Sequence, residues 1–239
     1  MSAAGPRVAV AGALASLERR LLRSAKAGSG EARLAPAAEA PRPVVAIVGL
    51  AHGCGATTVA CALARELATR DALGAAAVCG AARPGRAALR TASAARLARR
   101  LSRVAPVSAG TAGRLCLVET EHLLALTAAA MDVAPLVLDL PPGRPAGKAV
   151  GLADHVVLVV PSGCEPALAE VVAASLASDG PRPVRVVNRE RDGGRWCGRE
   201  AVLLSETRLG ARLAMAGRDT RGAFGPGLQE LADRCTVFS

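Results

Sequence analysis

The sequence predicts a three-layer α/β fold, a mostly parallel sheet covered by helices on both faces. Three observations carry that expectation. From residue 43 onward, short runs rich in Val, Leu and Ala alternate with stretches of helical periodicity. The strand-like runs are apolar throughout instead of alternating with polar residues, as expected of parallel strands buried on both faces. Half of the 239 residues are apolar (51%), enough to build a sizeable core.

Residues 1–43 read as an N-terminal extension and linker. Arg7–Gly12 fits a short strand, and Ala13–Ala25 a helix with Leu14, Leu17, Leu21 and Leu22 on one face. Gly28–Pro43 is rich in Gly, Ala and Pro, the composition of a linker. Residues 44–239 then form one domain. Val44–Val48 is a β-branched run that enters the glycine-containing segment Gly49–Gly55, and Thr57–Thr69 follows with helical spacing. Further strands are expected at Ala75–Cys79, Arg114–Val118, Leu136–Leu140, His155–Val160, Pro183–Val187 and Ala201–Leu204. Helices are expected at Pro166–Ser178 and Gly227–Arg234.

Composition excludes several functions. Trp196, Phe224 and Phe238 are the only aromatic residues, too few for a base-stacking nucleic-acid platform. No apolar run reaches the roughly 18–20 residues of a membrane span. Val8–Leu17 is apolar but short and runs into Glu18, Arg19 and Arg20, whereas a secretory signal has its basic residues first and a small-residue cleavage site after. The seven cysteines are odd in number and contain no CxxC pair, so they read as small core residues in a reducing, cytoplasmic setting. The formal net charge is +10, with Lys26 and Lys148 the only lysines. An arginine excess of this kind accompanies the Ala and Gly excess and reads first as compositional bias.

The segment Val44–Ala60 carries the chemistry. A strand, a glycine-containing loop and a helix form the frame of a phosphate-binding loop. Glycines let backbone N–H groups converge on an anion, and the helix dipole adds to them. Gly53 and Gly55 meet that need, and Thr57 stands where a hydroxyl reaches Mg²⁺. Ala56 stands where the pattern GxxxxGK[ST] has lysine. The dinucleotide fingerprint is absent, because position 58 is Thr and no acid follows the second strand.

On these residues the chain resembles the ParA/MinD family of P-loop ATPases, whose loop reads KGGxGKTT. Ala51-His-Gly-Cys-Gly-Ala-Thr-Thr58 aligns with that octet, and its GATT ending is similar to the TadZ/CpaE pilus-assembly branch. Asp139-Leu-Pro-Pro-Gly143 resembles the end of a Walker B strand, and Val186-Val-Asn188-Arg189 a strand end whose Asn reads adenine. Ala153–Val160 resembles the family's next strand, and Leu204–Gly210, Ala216–Arg218 and Leu228–Ala232 its C-terminal segment.

The resemblance implies ATP and Mg²⁺ as cofactors. Gly53, Cys54, Gly55 and Ala56 would wrap the phosphates, Thr58 would touch the α-phosphate, and Asn188 would contact adenine. Thr57 would ligate Mg²⁺; Asp139 would hold it through water or orient the attacking water. Two family lysines are replaced, by Ala51 and Ala56, and Cys79–Arg86 lacks the expected acid. Phosphoryl transfer rests on positioning and charge stabilisation, so slow hydrolysis or none is expected. The implied role is a positioning or assembly factor of the pilus type, a homodimer, cytoplasmic or peripheral at the inner membrane or cell pole. The alternatives are an active partitioning or septum-site ATPase and a scaffold that binds no nucleotide.

Each site residue also has a plain structural reading. The turn from strand to helix requires the glycines in any case, Asp139 can cap a loop, and Asn188 can satisfy backbone groups. His52 reads as a solvent-facing filler, and His122 and His155 as structural residues. Arg83–Arg103 holds seven arginines and no acid, with Arg96, Arg99, Arg100 and Arg103 on one helical face. It reads either as a solvated face or as a surface for weak, nonspecific DNA or for an acidic protein partner.

Overall fold

A computed structural model describes residues 42–71, 74–79, 92–104, 108–112, 115–119, 123–140, 147–190, 194–196, 199–205, 207–215, 218 and 220–236. The strand, helix and most of the linker expected within residues 1–43 lie outside the described residues, as do His122, the acid-free stretch 80–86 and the segment 141–146.

Among the described residues, eight strands form one sheet. They are β1 (Val44–Gly49), β2 (Ala75–Cys79), β3 (Ser108–Ala112), β4 (Leu115–Glu119), β5 (Leu136–Leu140), β6 (His155–Pro161), β7 (Val184–Glu190) and β8 (Val202–Ser205). Their order is β3-β4-β2-β5-β1-β6-β7-β8. All neighbouring pairs are parallel except β3–β4. The expected mostly parallel sheet is therefore present, with one antiparallel edge strand that the sequence reading lacked.

Eight described helices cover the sheet: α1 (Ala56–Arg70), α2 (Ala92–Val104), α3 (Leu123–Ala130), α4 (Gly147–Leu152), α5 (Pro166–Ala177), α6 (Arg208–Met215), α7 (Arg221–Phe224) and α8 (Pro226–Arg234). The alternation of side chains along each strand explains the three layers. Val45 and Ile47 of β1 join the core beneath α1, α6 and α8, together with Leu63, Leu67, Leu228 and Leu231. Val44 and Ala46 join the opposite core, with Leu97 and Leu101 of α2 and Leu126 of α3. A third cluster gathers Leu158, Val160 and Val187 under Ala169 and Ala173 of α5, with Trp196 and the partly buried Leu50. Because β1 is buried on both faces, its apolar residues run without interruption, as the sequence suggested.

Helix α1 is the central helix. Residues Val59–Ala64 are all buried, and so is the carboxylate of Glu66, which sits 3.6 Å from Arg70. Arg70 also reaches Asp233 of α8 at 2.7 Å, tying the two helices. The Arg42 guanidinium lies 3.0 Å from Asp71 and donates to the Asp132 carbonyl at 2.8 Å.

Strand β1 lies between β5 and β6, and the chain leaves it toward β2 on one side and later continues through β6, β7 and β8 on the other. That reversal is a topological switch point. In open α/β sheets the crevice at the carboxyl ends of such strands is where ligands bind.

Candidate phosphate-binding site

The loop Leu50–Gly55 leaves the carboxyl end of β1 at this switch point and turns directly into α1. Leu50 remains tied to the sheet, donating its N–H to the Val159 carbonyl at 2.9 Å. The loop then rises to the surface: Ala51, His52 and Gly53 are exposed, and Cys54 returns to the interior. Gly53 has φ +75° and Gly55 φ +89°, in the left-handed region that other residues adopt only with strain. The sequence-predicted glycine positions are therefore required by the backbone path. Gly49 has a different reason to be glycine: a Cβ there would meet Cys54 Sγ at 2.9 Å and Ala56 Cβ at 3.2 Å.

No side chain caps the start of α1, and its first turn holds no acid. The leading N–H groups of a helix have no intrahelical acceptor, and they carry the positive end of the dipole. The amides of Ala56, Thr57 and Thr58 stand in this first turn, beside the two left-handed glycines. N–H donors that no side chain caps are suited to an oxyanion such as phosphate.

Thr57 and Asp139 come together across the mouth of this loop. The Thr57 hydroxyl donates to Asp139 Oδ2 at 2.7 Å. Register places Asp139 opposite Ile47 of β1 and Cys79 of β2, near the carboxyl end of β5. A hydroxyl beside a carboxylate is an all-oxygen donor pair, the chemistry that Mg²⁺ prefers. These two residues fit the magnesium role that the resemblance implies. Among the described residues there is no cluster of three or more His, Cys, Asp or Glu able to hold a metal by itself.

The two replaced lysine positions differ. Ala51 is exposed on the loop, whereas Ala56 is half-buried and packs against the core beneath α1. Neither brings positive charge to the loop.

Asn188 is placed differently from what an adenine contact alone requires. It sits at the carboxyl end of β7, 3% exposed, and its Nδ2 donates to the Cys54 carbonyl at 2.8 Å. The same Nδ2 would lie 2.2 Å from a Cβ on Gly55. The sequence offered a base contact or backbone satisfaction for this residue, and the observed partner is the loop backbone. Next to it, Arg189 has φ +65°, and the β7–β8 register shifts between Asn188 and Glu190, as in a β-bulge.

Two of the three histidines are described. His52 is exposed on the loop, and His155 begins the interior strand β6, at the amino-terminal end away from the loop, where burial pushes its pKa down and Asp154 opposes that shift.

No protein-family model matches the chain, and no curated protein matches it in sequence. Solved structures do match in shape. A ParA family ATPase from Chlorobium tepidum TLS superposes with a TM-score of 0.55 at 12% identity, over 84% of this chain and 100% of that one. The fold is that of the ParA/MinD P-loop proteins. The MinC:MinD cell division protein complex of Aquifex aeolicus gives a TM-score of 0.54 at 17% identity, covering 81% and 94% of the two chains. A plasmid partition protein from Borrelia burgdorferi gives 0.50 at 10% identity, covering 81% and 99%. Within a ParA/MinD fold, the loop after β1, the Asp near the end of β5 and the end of β7 all lie along one edge of the sheet. No helix among the described residues is long and apolar enough to cross a membrane.

Proposed function

We propose that the chain is a nucleotide-binding positioning or assembly factor with a ParA/MinD fold, one that hydrolyses ATP slowly or not at all. The observation that carries this reading is the 2.7 Å hydrogen bond between Thr57 and Asp139, at the mouth of a loop with left-handed glycines. A loop kept only as a turn needs its glycines, but it does not need a hydroxyl and a carboxylate paired across 82 residues of sequence. ATP would be held by backbone amides of the loop and first helical turn, with Mg²⁺ at Thr57 and Asp139. Catalysis would be weak, because positions 51 and 56 hold alanine. Removing one preorganised donor at developing charge costs about 10²–10³ in rate in comparable sites. The Gly55-Ala-Thr-Thr58 ending supports assignment to the TadZ/CpaE pilus-assembly type, acting in the cytoplasm or peripherally at the inner membrane as a homodimer.

Calorimetry with ATP, with and without Mg²⁺, tests the reading. Micromolar or weaker affinity, improved by Mg²⁺ and accompanied by little turnover, is the expected result. No heat and no thermal shift at millimolar ATP overturns it in favour of a scaffold that binds no nucleotide. Submicromolar affinity with brisk hydrolysis overturns it in favour of a partitioning ATPase.

A further inference from the structure

We propose that Asn188 is a positioning residue of the phosphate loop: its amide anchors the Cys54 carbonyl and thereby aims the Gly55 N–H at the bound anion. The inference rests on the nucleotide-binding reading above for its ligand, but the anchor itself is a property of the chain alone.

The geometry starts from the peptide unit. In a trans peptide the C=O of one residue and the N–H of the next point in opposite directions. The Cys54 carbonyl points inward, to the buried Asn188 amide at 2.8 Å. The N–H of Gly55 therefore points the other way, toward the open side of the loop. Turning this peptide over would direct the carbonyl oxygen at a phosphate, replacing attraction with repulsion. Glycine at 53 and 55 makes such a turn easy, because glycine has little preference between positive and negative φ. A loop with two left-handed glycines and no lysine needs something else to hold its amides in one orientation.

Three features equip Asn188 for that task. Its amide has only one sensible orientation, since the reversed one would bring Oδ1 against the Cys54 oxygen. Burial strengthens the bond and makes its loss costly, because a buried carbonyl without a donor costs about 1–3 kcal/mol. Gly55 leaves the approach open, whereas any Cβ there would collide with Nδ2. The bulge that follows, with Arg189 at φ +65°, ends the regular pairing of β7 immediately after the anchor. A strained, non-glycine backbone persists only where its surroundings hold it, and it marks sites under functional constraint.

The test uses Asn188→Asp, which is nearly isosteric but presents a carboxylate to the Cys54 oxygen, with Asn188→Ser as a second, smaller variant. Hydrogen exchange in the ligand-free protein reads the anchor directly. The amides hydrogen-bonded within the loop and at its exit, Cys54 N–H to the Ala51 carbonyl and Val59 N–H to the Gly55 carbonyl, are expected to exchange at least tenfold faster in both variants, with exchange in β1 and β5 unchanged. Affinity for ATP and for inorganic triphosphate, each with Mg²⁺, reads the consequence. Both ligands are expected to bind about tenfold more weakly. On acidification, the Asp variant is expected to recover affinity relative to wild type, as its carboxyl becomes a donor. Loop exchange unchanged in both variants overturns the anchor, whatever happens to ATP. Weaker ATP binding with undiminished triphosphate binding also overturns it, and assigns Asn188 to the base. Wild-type protein that binds neither ligand retires the nucleotide reading, while the exchange measurement still decides the anchor.

Discussion

The hydroxyl of Thr57, in the first turn of α1, and the carboxylate of Asp139, near the end of β5, share a 2.7 Å hydrogen bond. Both are only partly buried, so the pair is open to a ligand from the loop side. The bond holds the two oxygens at a separation that a single hydrated cation can span.

The first prediction follows from that pair. Asp139→Asn keeps the shape but removes the charge that attracts Mg²⁺. The Mg²⁺-dependent gain in ATP affinity is expected to fall about tenfold, equivalent to about 1.4 kcal/mol, while Mg²⁺-free binding stays the same or improves. Calorimetric titrations with and without MgCl₂ measure both. An Mg²⁺ effect that survives the substitution contradicts the role given to Asp139.

Ala56→Lys restores a cation near the phosphates. ATP affinity is expected to rise, but hydrolysis is not expected to become rapid, since Ala51 still contributes no charge. Without ligand the new lysine sits at the positive end of the α1 dipole, which costs about 0.3–1 kcal/mol. At about 2–4 °C per kcal/mol for a domain of this size, the apo melting temperature should drop by no more than a few degrees, then recover with ATP. Melting curves with and without nucleotide check this, and rapid phosphate release by the variant contradicts it.

Gly55→Ala tests the close approach of Asn188. Two penalties combine, left-handed backbone strain of about 1–2 kcal/mol and collision with Nδ2. In an Asn188→Ala background only the first remains. The destabilisation by Gly55→Ala is therefore expected to be smaller in that background, a coupling readable from a double-mutant cycle of urea unfolding. Strict additivity would contradict the contact.

Much of this architecture is legible in the sequence, for a physical reason. Strands β1, β5 and β6 are buried on both faces, so Val44–Val48, Leu136–Leu140 and His155–Val160 read as continuous apolar runs. Strand β3 is different. Ser-Ala-Gly-Thr-Ala has almost no strand signal, and it is held by antiparallel pairing with β4 and by packing against α2. Helix α3 escaped because Leu-Leu-Ala-Leu-Thr-Ala-Ala-Ala is apolar nearly all round and gives no periodic contrast. At the candidate site, Gly53, Gly55 and Thr57 stand out in the sequence because loop chemistry dictates residue type at fixed spacing, whereas Asp139 stands out only through the resemblance of Asp139–Gly143 to a Walker B strand end. The bond from Asn188 to Cys54 does not, since it joins positions 134 residues apart through the backbone of one and the side chain of the other.

Alkaline pH should weaken the fold through buried thiols. Burial pushes the pKa of Cys116 to about 12, and that of Cys235 to about 12 despite the opposing charges of Arg234 and Arg70. Each folded thiol keeps its proton at a pH where the unfolded one has lost it. Stability is thus unaffected well below pH 9 and falls as pH rises from about 9 toward 12, with a limiting slope of about 1.4 kcal/mol per pH unit per thiol. The chain has no tyrosine and two lysines, so few other groups mask the effect. Urea midpoints at pH 8 and 10.5 should differ clearly, and Cys116→Ala should reduce that difference.

The last prediction concerns association. It rests on the homodimer proposed above: Ala51 stands where the family that the chain resembles has the lysine that reaches across its dimer, so nucleotide should be a weak switch for dimerisation here. Arg96, Arg99, Arg100 and Arg103 are exposed on α2, opposite the buried Leu97 and Leu101, and no acid interrupts the helix. This face can engage an acidic protein or nucleic-acid phosphates, and salt distinguishes such contacts from apolar ones. Neutralising several phosphates makes affinity fall steeply between about 50 and 200 mM salt, whereas an apolar interface barely responds. Self-association without ATP is expected, together with DNA binding that is weak at physiological salt and fades further above it. Replacing the four arginines by glutamine should reduce the salt slope of DNA binding without changing sedimentation if apolar burial holds the dimer. Sedimentation with and without ATP, alongside the salt titration, gives both readings. A strictly ATP-dependent dimer, or tight DNA binding that persists at high salt, would overturn this account and favour the partitioning ATPase.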